Sequence, residues 1–225
     1  MISGETRLVG LLGDPVSQSL SPRMQNVAFA ARGLDWAYVP LQVAQEQLED
    51  ALRGLVALGF AGANVTTPHK LAVAELVETD EQSVNTLVAQ DGRLRAYSTD
   101  AAILRSLDFH HVAILGDGGA AAAFAAALPS ALRFSRRGTW PPDLSEVDLV
   151  VNATSERDDV LVELRAGQTL VDLPYPRTAT AVAADAADVK VVDGLEVLLA
   201  QGAASFELWT GLPAPLEVMR AAIGP

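Results

Sequence analysis

Residues 112–124 read VAILGDGGAAAAF: four apolar residues, a glycine cluster at Gly116, Gly118 and Gly119, then an alanine-rich run to Phe124. The apolar run predicts a strand, the alanines predict a helix, and the glycines fall at the turn between them. In that context glycines let backbone approach a pyrophosphate, and the helix N-terminus offers free N–H groups and partial positive charge. Ala121 stands where the third glycine of G-x-G-x-x-G would fall, an accepted variant. An ordinary tight strand–helix turn is the competing reading, and the Asp117 carboxylate weighs against phosphate. Arg136, twenty residues beyond Gly116, lies in Arg133-Phe134-Ser135-Arg136-Arg137. At that offset an acidic residue favours NAD, whereas arginine accommodates the 2′-phosphate of NADP. Arginines here, in an acidic chain, favour NADP over a merely solvated basic cluster.

Outward from this turn, short apolar runs alternate with helical patterns. Before it come strand-like Leu8–Leu12, Trp36–Val43 and Ala61–Val65. Ser21 is expected to cap a helix with Pro22 in its first turn, Gln45–Leu58 is amphipathic, and Pro68 opens a short helix. Asp91-Gly92 marks a hairpin between Thr86–Gln90 and Leu94–Tyr97. A short helix is expected over Ala101–Leu107. After the glycines, strands are expected at Leu132–Ser135, Leu149–Asn152, Leu170–Leu173 and Val189–Val192, and closing helices at Leu195–Trp209 and Pro215–Ile223.

This alternation implies an α/β protein with parallel strands and right-handed crossovers. The expected division is 1–101 with 194–225, and 102–193, the first with a mixed sheet and the second a Rossmann-like nucleotide-binding domain. Between Arg137 and Asp148 there are only ten residues, Pro141-Pro142 among them, against the roughly 10–12 that a strand–helix–strand crossover needs. A crossover helix is therefore expected to be missing, with one sheet face bare or left to a partner subunit.

Composition narrows the function classes. The chain has 225 residues, 50% hydrophobic, with 28 acidic against 16 basic residues and a formal charge of −12. That material supports a folded core and argues against a dominant nucleic-acid role, which needs clustered Lys and Arg. The absence of cysteine excludes disulfides and thiolate chemistry. No apolar run approaches the roughly 20 residues of a membrane span, and no secretory signal pattern is seen. A cytoplasmic protein is expected.

Polar clusters sit at strand ends in the first hundred residues: Ser17 to Pro22, Asn64 to Lys70, Asn85-Thr86, and Ser98-Thr99-Asp100. Open α/β sheets bind ligands at such ends. Hydroxyls, amides, one lysine and one aspartate suit a small polyhydroxylated, carboxylated molecule. His69, His110 and His111 show no metal-ligand spacing and read as structural or exposed; no metal site is expected.

In these motifs the sequence resembles the shikimate dehydrogenase family. The family's G-x-P-x-x-H-S-x-S-P appears as Gly13 to Pro22 with Gln18 for histidine, and N-V-T-x-P-x-K is intact as Asn64 to Lys70. N-T and N-T-D appear as Asn85-Thr86 and Ser98-Thr99-Asp100, N-A-T-S as Asn152 to Ser155, and the tail motif as Gln201, Phe206, Trp209 and Gly211. The resemblance covers nearly the whole chain. It implies Lys70 as catalytic lysine and Asp100 as its carboxylate partner. It implies Ser19, Ser21 and Thr66 on the substrate carboxylate, with Tyr175, and Asn64, Asn85, Asp100 and Gln201 on ring hydroxyls. Cofactor contacts would come from Gly116, Gly118, Gly119, Ala120, Ser135, Arg136, Arg137, Asn152 and Thr154. Departures gather on the cofactor side: Asp117, the short stretch after Arg137, and Glu156-Arg157 in place of Gly-Met.

The implied activity is NADP-dependent interconversion of 3-dehydroshikimate and shikimate, by a monomer or homodimer. The alternatives are a quinate/shikimate dehydrogenase using NAD, and a non-catalytic shikimate-binding homologue with impaired cofactor binding.

Overall fold

From Val9 to Gly13 every residue is buried, so the strand that holds them must be covered on both faces. In the computed structural model, which describes residues 2–224, that strand is β1 (Arg7–Gly13). The chain continues through α1 (Ser21–Ala31), β2 (Trp36–Gln42), α2 (Leu48–Ala57), β3 (Gly62–Val65), α3 (Lys70–Leu76), β4 (Thr86–Gln90) and β5 (Arg93–Tyr97). A 3₁₀ turn at Asp100–Ser106 leads to β6 (Val112–Leu115), α4 (Gly119–Ala127), β7 (Leu132–Phe134), β8 (Leu149–Asn152), β9 (Thr169–Asp172), α5 (Ala179–Ala186) and β10 (Lys190–Val192). Two helices close it, α6 (Gly194–Thr210) and α7 (Leu216–Ile223). The residues cluster into two units, Met1–Thr99 with Leu199–Pro225, and Asp100–Leu198.

The first unit holds a mixed sheet of order β2-β1-β3-β4-β5. β2 and β3 run parallel to β1, while β4 and β5 form an antiparallel hairpin. Its turn residues Asp91 and Gly92 both have positive φ, the geometry that matches strand twist. Leu48, Leu52 and Leu55, at helical spacing on α2, pack with Ala63, Val65 and Leu87. On α1, Phe29 is fully buried, with ring centroids 5.3 Å from Trp36 and 5.5 Å from Phe206 of α6. Ser21 is the first residue of α1 and not its cap: Leu20 precedes it, and no side chain caps this end.

The second unit is a parallel sheet of order β10-β9-β8-β6-β7. The connection from β6 runs outward to β7, and the next returns past β6 to β8. The direction of winding therefore reverses between β6 and β8, the place where such sheets open a crevice for ligands.

No helix joins β7 to β8, as the spacing predicts, yet the sheet face is not bare. Trp140 and Leu144 from this connection, and Val162 and Leu164 from the next, pack on a core of Ala113, Leu115, Val150 and Leu170 with α5. A coil in place of a helix leaves backbone carbonyls needing partners. Buried Gln168 supplies them, its Nε2 donating to Leu144 O at 3.1 Å and Val147 O at 2.8 Å. Arg165 donates to the carbonyls of Leu144 and Ser145.

Helix α5 has no counterpart in the sequence reading. Its sign was Thr178, whose hydroxyl accepts from Ala181 N at 3.1 Å and caps the helix. The expected helix at Ala101–Leu107 is the 3₁₀ turn. Among the described residues no helix is long and apolar enough to cross a membrane.

Candidate active site

In the first unit, parallel pairing of Leu12 with Val65 aligns the ends of β1 and β3. Thr66 N donates to Leu12 O at 2.8 Å and Asp14 N to Thr67 O at 3.1 Å, so the Ser19–Ser21 loop and Thr66 emerge from the same edge. Gly13 is required here, because a Cβ would come within 2.4 Å of Thr66 Cγ2 and 3.2 Å of Thr67 O. Ser21 is buried and its N–H donates to Ser19 Oγ at 3.2 Å. Half-buried Lys70 opens α3, and its carbonyl accepts from Val84 N at 3.1 Å, beside Asn85. The preceding His69 is a structural residue, fully buried between Val43 O at 2.7 Å and Gln45 Oε1 at 2.9 Å. His110 and His111 are exposed.

A buried lattice of amides and hydroxyls fixes this edge. Asn85 Oδ1 accepts from Thr99 N at 2.7 Å, and its Nδ2 donates to Thr99 Oγ1 at 2.9 Å and to Gln201 Oε1 at 3.4 Å. This brings Asn85 and Gln201 together and fixes Thr99, the residue before Asp100. Asp100 itself begins the 3₁₀ turn of the second unit and is buried.

Asn64, expected on a ring hydroxyl, is a central member of this lattice. Its Oδ1 accepts from the Tyr38 hydroxyl at 2.8 Å. Its Nδ2 lies 2.9 Å from Asn85 O, 3.1 Å from Thr86 Oγ1 and 3.0 Å from Ser205 Oγ, so protein acceptors consume both of its protons. Ser205, Thr86 and Tyr38 are the members that sequence reading missed. Ser205 was findable one helical turn after Gln201, whose carbonyl accepts from the Ser205 hydroxyl at 3.0 Å.

In the second unit, Gly116 ends β6 with φ +123°, and a Cβ there would lie 2.9 Å from Ala153 O. Gly118 precedes α4, with open space where a Cβ would stand. Gly119 and Ala120 form the first turn of α4. This fits a pyrophosphate: uncapped N–H groups at a nine-residue helix and a backbone free to be approached. Half-buried Ser135 and exposed Arg136 and Arg137 follow β7. Tyr175, half-buried, lies in the loop after β9 of this same unit.

Asn152 is fully buried, donating to Asp172 Oδ1 at 2.7 Å and accepting from Thr154 N at 3.1 Å and Thr154 Oγ1 at 2.8 Å. The pair shapes the loop facing Gly116. Burial pushes the Asp172 carboxyl above the usual range, against hydrogen bonds from Asn152 and Thr178 that lower it; the Asp193 charge adds to the rise.

Two family models match stretches that lie almost wholly in the first unit. Residues 11–89 match the shikimate dehydrogenase substrate-binding domain, and residues 194–223 match the shikimate 5′-dehydrogenase C-terminal domain. A shikimate dehydrogenase (NADP+) of Citrifermentans bemidjiense is 37% identical, spanning 99% of this chain and 96% of the relative. The chain belongs to the shikimate dehydrogenase family. One from Anaeromyxobacter sp. is 38% identical over 99% of this chain and 98% of its own. The solved shikimate dehydrogenase of Aquifex aeolicus superposes with a TM-score of 0.91 at 28% identity, each chain fully covered. That of Thermus thermophilus, in complex with NADP(H) and shikimate, superposes with 0.82 at 31% identity, covering 96% of this chain and 98% of the other. The alignment with the Citrifermentans shikimate dehydrogenase runs 278 positions against 225 residues here, leaving at least 53 of its positions unmatched.

Proposed function

We propose that this protein is an NADP-dependent shikimate dehydrogenase interconverting 3-dehydroshikimate and shikimate, acting on small molecules in the cytoplasm. The carrying observation is the coincidence of full-length relatives of that name with a lattice that holds Asn85, Thr99 and Gln201 together, Lys70 opening α3 in the same unit and Asp100 following Thr99 in sequence. The first unit takes the substrate and the second the dinucleotide. Gly116, Gly118 and the first turn of α4 would hold the pyrophosphate, with Arg136 and Arg137 for a 2′-phosphate.

The bound nicotinamide supplies or accepts the hydride. The protein supplies the proton. Lys70 donates it to the developing alcohol oxygen in one direction and removes it in the other. Asp100 orients that amine and accepts from a ring hydroxyl. Ser19, Ser21 and Thr66 are short hydroxyl donors at one sheet edge, suited to a carboxylate, and Tyr175 is a further donor for it. Gln201 takes a ring hydroxyl, and Asn85, whose Nδ2 donates to Thr99 Oγ1 and Gln201 Oε1, positions it.

The test is reduced-nicotinamide absorbance with shikimate and NADP+, on wild type and Lys70→Ala. Wild-type turnover is expected to fall by about a thousandfold in the variant, with shikimate binding by calorimetry retained. Shikimate binding without wild-type turnover, with either NADP+ or NAD+, would replace this reading with that of a binding protein.

A further inference from the structure

The two arginines that a 2′-phosphate needs each face a carboxylate. Arg137 lies 3.6 Å from Asp117, and Arg136 lies 3.6 Å from Glu156. Both arginines are exposed, Arg136 at 57%, and the pairs differ in their carboxylates, Asp117 at 46% and Glu156 at 29%. The Arg137 side chain is 88% exposed, so solvent screens that pair and it carries little. Glu156 is built in: its Oε1 accepts from the N–H groups of Arg157 at 3.0 Å, Asp158 at 3.1 Å and Asp159 at 3.4 Å. Those backbone donors, Asp158 first, and then the Arg136 charge hold the Glu156 carboxyl below the usual carboxylate range, so it stays ionised. Its Oε2 is the atom that faces Arg136 NH1.

Topology gives this pair its meaning. Arg136 follows β7 and Glu156 follows β8, and β6 lies between those strands in the sheet. A bridge between the two must pass over the carboxyl end of β6, where Gly116 and Gly118 make the cradle. Arg136 is also held from the core side, its guanidinium 5.9 Å from the ring of Trp140, in the connection that has lost its helix.

We propose that Glu156 is a specificity-determining residue: it holds Arg136 across the mouth of the glycine loop and lowers the preference for a 2′-phosphorylated dinucleotide over its unphosphorylated counterpart. This rests on the reading of the second unit as a dinucleotide domain. A 2′-phosphate must draw Arg136 away from a fixed, ionised carboxylate or sit near that carboxylate's charge. A dinucleotide with a free 2′-hydroxyl asks nothing of Arg136 and pays neither penalty.

The experiment is calorimetric titration of NADP+ and NAD+ into wild type, Glu156→Gln, Arg136→Gln and the double variant, at fixed ionic strength. Glutamine keeps an oxygen for the three backbone donors and removes the charge, and circular dichroism checks each fold. Glu156→Gln is expected to tighten NADP+ about fivefold, the scale of one partly exposed ion pair, and NAD+ by less than about twofold. In the Arg136→Gln background the same change is expected to do nothing. Unchanged affinities, equal tightening of both cofactors, or an undiminished effect without Arg136 would overturn the inference and leave the cofactor reading standing. Wild type that binds neither dinucleotide would remove both.

Discussion

The two sheets of this protein finish their polar strand ends differently. In the first unit Asn64, Asn85, Thr86, Thr99 and Ser205 are all buried and bonded to one another. In the second, Asn152, Asp172 and Thr178 are likewise buried and bonded, but beyond them the glycine loop is bordered by charged groups nearer to solvent, paired across 3.6 Å. Buried hydrogen bonds are expensive to leave unmade, because an abandoned donor keeps its full desolvation penalty. An exposed ion pair such as Arg137–Asp117 contributes little and rearranges freely. Between β7 and β8, where no helix stands, Trp140, Leu144 and Gln168 supply cover and hydrogen bonding.

Three perturbations break or sharpen this contrast. Gly116→Ala should have the largest effect. It combines a left-handed φ with a Cβ 2.9 Å from a backbone oxygen, and is expected to cost about 3 kcal/mol. Hydrogen exchange should show the loss in β6 and β8 and not in β1 and β3; an equal loss in both sheets would end the claim that the units respond separately. Ser205→Ala should come next, at about 1–2 kcal/mol, from partners left at Asn64, Thr86 and Thr99. Urea denaturation measures it, and a neutral result would mean the lattice is looser than its distances imply. Asp172→Asn should be smallest and visible mainly as a slope. Burial raises this carboxyl's pKa in the folded state, so its favourable contribution is present at low pH and lost as pH rises through the raised value. Wild type should therefore gain on the variant as pH falls from neutral toward about 4. A constant difference would show that Asp172 titrates alike folded and unfolded.

The elements that sequence disclosed are those with a strong local signal. Val112–Leu115 followed by glycines could be little else, and Asp91-Gly92 fixed its hairpin through two positive φ values. Helix α5 escaped because its alanines follow Pro174 and Pro176 and not a strand-and-glycine turn, which left the Thr178 cap as its mark. In the candidate site, the motifs marked loops but not the direction of each amide. Asn64 and Asn85 look alike in sequence. Only the hydroxyls of Tyr38 and Ser205, 26 and 141 residues away from Asn64, turn it into an inward staple. Glu156 was visible only as a departure from a motif. Its service to three N–H groups and Arg136 depends on β7 and β8 flanking β6, which is a property of the sheet and not of any stretch of chain.

Helix α6 begins among residues of the second unit and ends among those of the first. Phe206 stacks on Phe29, and Trp209 Nε1 donates to Leu87 O at 2.9 Å, so the first unit's core is finished by residues beyond 198. Synthesis runs from the N-terminus, and domains that are contiguous in sequence can fold as they emerge. Residues 100–198 leave the ribosome as a complete set, whereas the unit that began first must wait for the last. Until then the faces of Phe29 and Gly62 stand open in water. A stalled or clipped chain ending near 198 thus presents a finished small sheet joined to an unfinished large one, the form that a chaperone or protease would meet.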